Sequence, residues 1–287
     1  MRRRITWAWL LLILGSAAGA GFMFIQSSDN PWASEQGEEG QPTTLRIAGR
    51  TFSNREITAR LIGDRVVIEG DIVLTDASTA TKVREDHNNQ PTGLLIRGGE
   101  RLWPNSTIPY LIGDVTHPDR VLAAINAWNG KTNVRLVPRD SSHADWVVFR
   151  KSFRNYSFLG RIGQEQAIEI ADDAGIGNIM HEIGHAIGLC HEQNRSDRDQ
   201  FVTVQWNNIK PGYKTEFLQQ TAEADDKNTY DYDSIMHYPD DAWGKIENGV
   251  TLKTLVVAKA EVRVGQRERL SSGDIKATND AYPLPPK

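Results

Sequence analysis

This sequence has almost no cysteine, no strong excess of either charge and no internal repeat. The 287 residues include a single cysteine, Cys190, so no intramolecular disulfide can form. A formal net charge of −4 leaves no basic excess of the kind that nucleic acids attract. With no repeat and no heptad pattern, neither a repeat array nor a coiled coil is expected. The 39% hydrophobic and 24% charged residues instead predict a soluble protein of one or two domains with a buried core.

Residues 1–25 have the features of an export segment. Three arginines, Arg2 to Arg4, precede an apolar run at residues 5–14, and small residues at 18–20 suit cleavage by a signal peptidase. The apolar character continues to residue 25, so an uncleaved anchor spanning residues 5–25 is the alternative. Both interpretations place the rest of the chain outside the cytoplasm, either secreted, periplasmic or held at the cell surface.

The remaining chain divides into a polar stretch, a β-rich segment and a compact α/β region. Residues 27–44 are rich in Ser, Glu, Gly and Pro and are typical of a linker, and a polar boundary falls at 85–92. The expected strands are 45–47, 65–68, 72–75, 107–112, 133–137, 145–149 and 167–171. The expected helices are 119–129, starting after Pro118, and 271–281, capped by Ser271 or Ser272.

The most informative stretch is His181-Glu182-x-x-His185-x-x-Gly188-x-x-His191. Residues four apart share one face of a helix, so His181 and His185 can bind the same ion. Gly188 accepts the positive φ with which a helix ends, and the following turn can bring His191 to that ion. Three imidazoles with one open position are typical of catalytic zinc, whereas structural zinc takes four protein ligands. Short HExxH matches also arise by chance on ordinary helices, but this long form is far more specific.

Several further segments resemble the astacin-like zinc endopeptidases, a branch of the metzincins. Glu192 extends the zinc motif, and residues 232–238 resemble the Met-turn and tyrosine of that family. The other matching segments are residues 193–199, Leu102-Trp-Pro with Ile108-Pro-Tyr, and Leu270-Ser-Ser-Gly-Asp-Ile275. The resemblance covers roughly residues 94–282, and it implies an α+β metzincin fold. That fold has a twisted mixed sheet and an active-site helix over a loop-rich C-terminal subdomain, preceded by a small β-rich propeptide.

The resemblance also implies roles for individual residues. It implies that His181, His185 and His191 bind one Zn²⁺ per chain and that Glu182 is the general base. Tyr238 would be a further zinc ligand that stabilises the transition state, Met236 would form the floor of the site, and Glu192 would bind the mature amino terminus. Taken alone, Met236 is as well explained by core packing. The expected partners are protein or peptide substrates, with no nucleic acid, and the expected state is a monomer.

The resemblance further implies latency. Ile68-Glu69-Gly70-Asp71-Ile72 resembles the family's propeptide motif, in which an aspartate blocks the zinc. The domain boundaries expected from it are 1–25 for the signal or anchor, 26–93 for linker and propeptide, and 94–287 for the catalytic domain. Activation would cut within residues 85–99. A plain hairpin turn at Gly70-Asp71 is the alternative.

Other expectations concern the substrate and the departures from the family. The strand at 167–171 is expected to be an edge strand that pairs with substrate. Arg267 either selects acidic residues after the cut or is an ordinary surface arginine. The family's best-known members carry two disulfides, which this chain cannot form, and Cys190 is expected to be a small buried side chain. An acidic patch at 223–226 is a solvated loop or, alternatively, a calcium site.

Three other functions fit parts of the pattern. A different metzincin branch is disfavoured by the glutamate after the third histidine and by the tyrosine after the methionine. A catalytically silent binding domain would have had no need to keep Glu182. A membrane-held sensor would make the anchor, and not proteolysis, the main feature.

Overall fold

The computed structural model describes residues 24–27, 41–49, 52–62, 65–76, 101–219, 226 and 228–284. The first 23 residues, the predicted boundary at 85–92, the activation segment at 85–99 and most of the acidic patch lie outside these ranges. Within the described ranges, no helix combines the length and the apolar character needed to cross a bilayer.

The described residues form strands from residue 24 onward, and the described α-helices all begin at or after Pro118. The strands are β1 Phe24–Ser27, β2 Gln41–Gly49, β3 Phe52–Ile62, β4 Arg65–Ile68, β5 Ile72–Asp76, β6 Thr107–Ile112, β7 Arg135–Pro138, β8 Trp146–Ser152, β9 Tyr156–Phe158, β10 Glu165–Ala171, β11 Val202–Val204, β12 Ile246–Glu247, β13 Val250–Thr251 and β14 Leu255–Val257. The α-helices are α1 Pro118–Lys131, α2 Ile176–Ile187 and α3 Ser272–Ala281.

One mixed sheet joins the first ten strands in the order β1-β2-β3-β4-β5-β9-β10-β8-β6-β7. Strands β7, β6, β8 and β10 run parallel to their neighbours, as expected where helices connect strands, and β9 is antiparallel to β10. The meander β1 to β5 adds to this sheet through a parallel pairing of β5 with β9. The expected α+β class with a mixed sheet is therefore confirmed.

Helices α1 and α2 pack against each other over the main hydrophobic core. Trp128 on α1 is fully buried, and its indole N–H donates to the Met180 carbonyl of α2 at 3.0 Å. The indole of Trp103 donates to the Ala186 carbonyl, also on α2, at 2.8 Å. Each tryptophan thus buries a large apolar surface while its one polar atom keeps a partner. These contacts hold α2 in a set orientation beneath the sheet.

The predicted edge position of the substrate-pairing strand is wrong. Strand β10, which contains residues 167–171, lies between β8 and β9 and is paired on both sides. Strand β9 is outermost in the catalytic part of the sheet, and there β5 covers it, with the Ser157 N–H donating to the Asp71 carbonyl at 3.0 Å. Because β9 is only three residues long, the sequence pattern gave no sign of it.

The region between the zinc motif and α3 is rich in loops, as expected. It contains the two-stranded pairs β11 with β14 and β12 with β13. Another hydrophobic cluster lies there, in which the aromatic side chains of Tyr213, Phe217, Tyr230 and Tyr238 pack with aliphatic ones. Helix α3 begins after Ser271, whose side chain accepts the Asp274 N–H, so the first of the two predicted caps is the correct one.

Candidate metal centre

Three imidazoles meet at the end of α2. His181 and His185 lie one turn apart on the helix, and their Nε2 atoms are 3.1 Å from each other. The helix ends at Gly188, whose φ of 115° is left-handed, and the chain then returns His191 so that its Nε2 lies 3.3 Å from that of His181. All three side chains are buried. The predicted helix, its stop and the reversal of the chain are therefore present.

The second nitrogen of each imidazole is held by an oxygen acceptor. The three bonds run from His181 Nδ1 to the Ile235 carbonyl at 2.8 Å, from His185 Nδ1 to the Leu189 carbonyl at 2.8 Å and from His191 Nδ1 to the Glu69 carboxylate at 2.9 Å. An imidazole that donates through Nδ1 keeps a lone pair on Nε2 for a metal. The three Nε2 atoms, each able to bind a metal when unprotonated, therefore point at one place.

Asp71 supplies a fourth donor to the same place. Its carboxylate lies 3.2 Å from His181 Nε2, 3.5 Å from His185 Nε2 and 3.3 Å from His191 Nε2. Four ligands at zinc distances form a tetrahedron whose edges are about 3.3–3.4 Å, which these separations match. Among the described residues, Asp71 Oδ1 is buried without a hydrogen-bond donor, as expected of an atom that faces a metal. The donor set thus fits Zn²⁺.

The electrostatics of Asp71 agree with its place among the imidazoles. Burial by itself raises the pKa of the Asp71 carboxyl, but the charge of His191 and the contacts with the three rings outweigh burial and hold that pKa well below its usual range. Asp71 is therefore a carboxylate here, which is the form that binds a metal.

The β4–β5 hairpin delivers Asp71 through its tip. Ile68 pairs with Ile72, so Glu69, Gly70 and Asp71 form the turn between the strands. Gly70 has a φ of 81°, and a Cβ there would lie 2.7 Å from the Trp243 ring and 3.0 Å from the Tyr238 hydroxyl. Only glycine allows this conformation and this approach. The predicted hairpin turn is thus present, and its tip lies in the metal centre.

Glu182 lies beside the metal centre without joining it. Its side chain is buried, it borders the same cleft as Asp71 and His181, and among the described residues its Oε2 has no hydrogen-bond donor. Burial raises the pKa of Glu182 well above its usual value, and the nearby Asp71 raises it further, while Arg267 lowers it. A carboxyl with a raised pKa next to a metal is suited to accept and return a proton.

Comparison with known proteins agrees with this geometry. Residues 96–283 match the family model for Astacin, a family of peptidases. The chain belongs to the astacin family. It is 35% identical over 229 residues to the zinc metalloproteinase nas-4 of Caenorhabditis elegans, covering 76% of this chain and 69% of that protein. It is also 31% identical to nematocyst expressed protein 6 of Nematostella vectensis, covering 82% of this chain and 79% of that one.

A solved structure supports the same assignment. High choriolytic enzyme 1, a hatching enzyme zinc-protease from the medaka Oryzias latipes, is 32% identical and superposes with a TM-score of 0.57. The match covers 66% of this chain and 94% of that one. This astacin-family protein is therefore a zinc-dependent metalloendopeptidase that acts on protein substrates.

The Met-turn lies directly beneath the metal helix of this astacin. Met236 is buried, and a Cβ on Gly184 would lie only 2.5 Å from its sulfur, so the absence of a side chain at Gly184 lets turn and helix touch. Asp274 on α3 holds the turn from the other side, accepting the Ser234 hydroxyl at 2.6 Å and the Ile235 N–H at 2.9 Å. The Met-turn thereby places the Ile235 carbonyl against His181.

Tyr238 packs against the metal centre but bonds to the hairpin. Its ring centroid is 4.6 Å from that of His191, and its hydroxyl donates to the Glu69 carbonyl in a short bond. Burial raises the pKa of Tyr238 well above its usual value, and the carboxylates of Asp71 and Glu216 raise it further. The phenol is therefore a hydrogen-bond donor at neutral pH.

Glu192 borders a separate small cavity on the far side of the Met-turn. The cavity is about 50 Å³ in volume and is also bordered by Asp231, Asp274 and Cys190. Glu192 accepts the Asp231 N–H at 2.8 Å, and burial raises its pKa to about 8 although Arg195 lowers it. Cys190 is only half-buried there, less than the expected buried side chain, and it is not among the candidate metal donors of the described residues.

Arg267 borders the active-site cleft and is half-buried. The cleft is about 320 Å³ in volume, and Arg267 faces it together with Asp71 and Glu182. Its guanidinium donates to the carbonyls of His237 at 3.0 Å and Gln266 at 2.9 Å, which hold it in place. Of the two predictions for Arg267, the cleft position is therefore the correct one.

Sequence reasoning missed the residues that orient the site. Glu69 acts on both His191 and Tyr238, and the carbonyls of Ile235 and Leu189 hold the other two imidazoles. A carbonyl carries no side-chain signal, so no motif could show it. Glu69 lies inside the propeptide-like motif, and its position next to Asp71 was the one available indication.

Proposed function

We propose that this protein is made as a latent precursor in which Asp71 occupies the position that the catalytic water needs. In this proposal residues 26–93 are linker and propeptide, and residues 94–287 are the catalytic domain. The observation that carries it is the position of the Asp71 carboxylate, whose Oδ2 lies 3.2 Å from His181 Nε2 and whose Oδ1 lies 3.5 Å from His185 Nε2 and 3.3 Å from His191 Nε2. Tethering gives the carboxylate an effective concentration on the order of millimolar, so even a weak ligand saturates the site.

The catalytic roles follow from the positions of the side chains. His181, His185 and His191 would hold the Zn²⁺, which when bound would supply activation of a water molecule and polarisation of the scissile carbonyl. Glu182, buried beside the ligands with a raised pKa, takes the proton of the water and returns it to the leaving amine. Met236 supports the floor of the site through its contact with α2.

Tyr238 contributes only after the hairpin leaves. Its hydroxyl is engaged by the Glu69 carbonyl in the present state and is therefore not available to a substrate. Removal of the hairpin frees the phenol to donate a hydrogen bond to the oxyanion of the transition state, an effect typically worth about 3 kcal/mol. The propeptide thus blocks the metal and holds one catalytic side chain at the same time.

Activation requires a cut within residues 85–99. The freed amino terminus then enters the cavity beside Glu192, where Asp231 and Asp274 add two more carboxyl groups. Three acidic side chains around a small cavity suit a single ammonium group. In the present state burial raises the pKa of Glu192 to about 8, and an ammonium group beside it would favour its carboxylate form.

The substrate is proposed to bind extended along β9. That strand is free to pair with another chain once β5 departs, because β5 is its partner on that side. Arg267 borders the cleft with a fixed guanidinium and favours acidic residues after the cut. The proposal also includes export through residues 1–25, which are either cleaved as a signal or kept as an anchor. The enzyme is proposed to act as a monomer.

The test is a precursor made uncleavable within residues 85–99. With Asp71 intact it should be inactive on casein, and Asp71→Ala should gain hydrolysis, because the fourth metal position opens. Asp71→Asn is the matched control, since it keeps the size of the side chain but weakens the metal contact. If neither the Asp71→Ala precursor nor the intact precursor hydrolyses casein, or if the intact precursor is fully active, Asp71 is only a turn residue and does not block the metal.

A binding domain without activity is the competing function. Casein or gelatin digestion by the activated protein, with and without a zinc chelator, separates the two. Hydrolysis that stops with the chelator and returns with added Zn²⁺ supports the enzyme. Absence of any digestion by zinc-loaded, activated protein would support the binding domain.

A further inference from the structure

A second side chain of the N-terminal meander enters the catalytic region away from the metal. Arg60, on β3, is only 5% exposed. Its Nε donates to the Glu216 carboxylate at 3.3 Å, and its Nη2 donates to the Gly212 carbonyl at 2.9 Å. Its guanidinium carbon lies 3.5 Å from the centroid of the Tyr213 ring. The planar cation is therefore contacted by an anion, a carbonyl and an aromatic face.

The catalytic region supplies all three of these contacts. Gly212, Tyr213 and Glu216 lie close together in the sequence. The site that these three residues form around the Arg60 guanidinium is here called the guanidinium pocket. Gly212 has a φ of 84°, and a Cβ there would lie 3.2 Å from the Arg60 guanidinium, so glycine keeps the pocket open. These features match the recognition of arginine in particular, because lysine has no flat cationic face and carries all its donors on one nitrogen, not in a fixed fork.

The guanidinium pocket is tied to the segment that follows the zinc motif. The Asn194 side chain donates to the Glu216 carbonyl at 3.0 Å, and Arg198 donates to the Phe217 carbonyl at 2.7 Å. Both donors are buried. Since these bonds lie within the catalytic region, departure of the propeptide leaves the pocket in place with its cation removed.

The pocket also adjoins the active-site cleft. Tyr213 stacks on Trp243 with ring centroids 4.3 Å apart, and Trp243 borders the cleft where it meets Gly70. Phe217, next to Glu216, packs edge-on against Tyr238 at 5.9 Å. A peptide that crosses the metal centre in the place of the hairpin can therefore reach the pocket with a side chain.

Loss of Arg60 leaves Glu216 in need of a partner. Glu216 is 2% exposed, and among the described residues its Oε2 has no hydrogen-bond donor even with Arg60 present. A buried carboxylate without a cation is costly, so an arriving guanidinium gains strongly from replacing the lost one. We infer that the guanidinium pocket is a specificity subsite of the active enzyme, which selects substrates with an arginine side chain in the position that Arg60 occupies in the precursor.

This inference rests on the proposed exchange of propeptide for substrate, and peptide cleavage tests it. Peptides that share one cut site and carry a single arginine moved through the flanking positions are compared with citrulline counterparts, using enzyme activated from the full-length precursor. At one position arginine should raise kcat/KM by about 10- to 100-fold over citrulline. Glu216→Gln should abolish that ratio, and Glu247→Gln on the exposed β12–β13 hairpin should leave both the ratio and casein hydrolysis unchanged.

A second measurement uses the precursor alone. In Arg60→Ala, added N-acetyl-arginine amide should raise the Tm by roughly 2–4 °C near ten times its dissociation constant, and the citrulline analogue should not. The rise should be absent in the Arg60→Ala, Glu216→Gln double variant. Lack of any rise overturns the pocket as a binding site. A rise without arginine preference in cleavage overturns the subsite and leaves a precursor contact only, and continued casein hydrolysis keeps either failure separate from failure of the proteolytic function.

Discussion

The N-terminal meander and the catalytic region are held together in different ways. The catalytic region has a large hydrophobic core in which α1, α2 and the parallel strands meet, with Trp103 and Trp128 fully enclosed. Among the described residues of the meander, Ile62, Val67 and Val73 pack in a small cluster on Tyr156 of the catalytic region. Its pairing with the sheet consists of two residue pairs between β5 and β9.

Polar side chains of the meander also reach groups of the catalytic region. Asp71 reaches the imidazoles, Glu69 reaches His191 and Tyr238, and Arg60 reaches Glu216. Because the main core of the catalytic region contains no described residue of the meander, these contacts can break without opening that core. The comparison teaches that the polar contacts by which the meander is proposed to block the active site also allow the meander to be removed.

The largest expected effect comes from substitutions that alter the catalytic region alone. Glu182→Ala should lower kcat by about 10²- to 10⁴-fold while zinc stays bound, since Glu182 lies beside the ligands and is not one of them. His185→Ala should lose zinc as well as activity. Zinc content and casein turnover of both activated variants check this, and near-normal turnover of Glu182→Ala would show that the base is another group.

A smaller effect is expected at Tyr238, which contacts both regions. Tyr238→Phe should lower kcat by about 10²-fold with little change in KM, because the hydroxyl is proposed to act in the transition state. The same variant loses the bond to the Glu69 carbonyl in the precursor. Steady-state kinetics on the activated enzyme decide the question. A change confined to KM would assign Tyr238 to substrate binding.

The smallest expected effect concerns Glu216, where the catalytic region contacts the meander. Burial raises the pKa of Glu216 to about 7, the charges of Glu69 and Asp71 add to this, and Arg60 lowers it. Because the folded pKa lies above the unfolded value, the folded precursor gains a proton as the pH falls through about 7, and this stabilising contribution is lost as the pH rises.

The measurement is the Tm of the precursor at pH 5 and pH 8. The difference should be larger in the intact protein than in Glu216→Gln by roughly 2–4 °C, with greater stability on the acidic side. Glu247→Gln, which alters an exposed carboxylate, provides the control. Identical pH profiles of the intact protein and Glu216→Gln would mean that Glu216 titrates normally.

Periodicity and turn residues were enough to predict most elements. Strand 107–112 was placed on its observed bounds, α1 was placed within two residues at its end, and Ser271 was correctly named as a cap for α3. Local side-chain patterns determine these features, so they survive without knowledge of the fold. The edge position of β9 and the interior position of β10 depend on strand order, which no local pattern encodes.

The sequence by itself determined the metal chemistry of this protein. The spacing of three histidines around one helix turn and Gly188 requires them to converge, because helix geometry and a left-handed stop are local properties. Only the tertiary structure decided what surrounds them. The approach of Asp71 and Glu69 across more than a hundred residues, the contact of Met236 with Gly184 and the seating of Arg60 on Tyr213 and Glu216 all arise from long-range packing, and a linear pattern carries no signal for such distances.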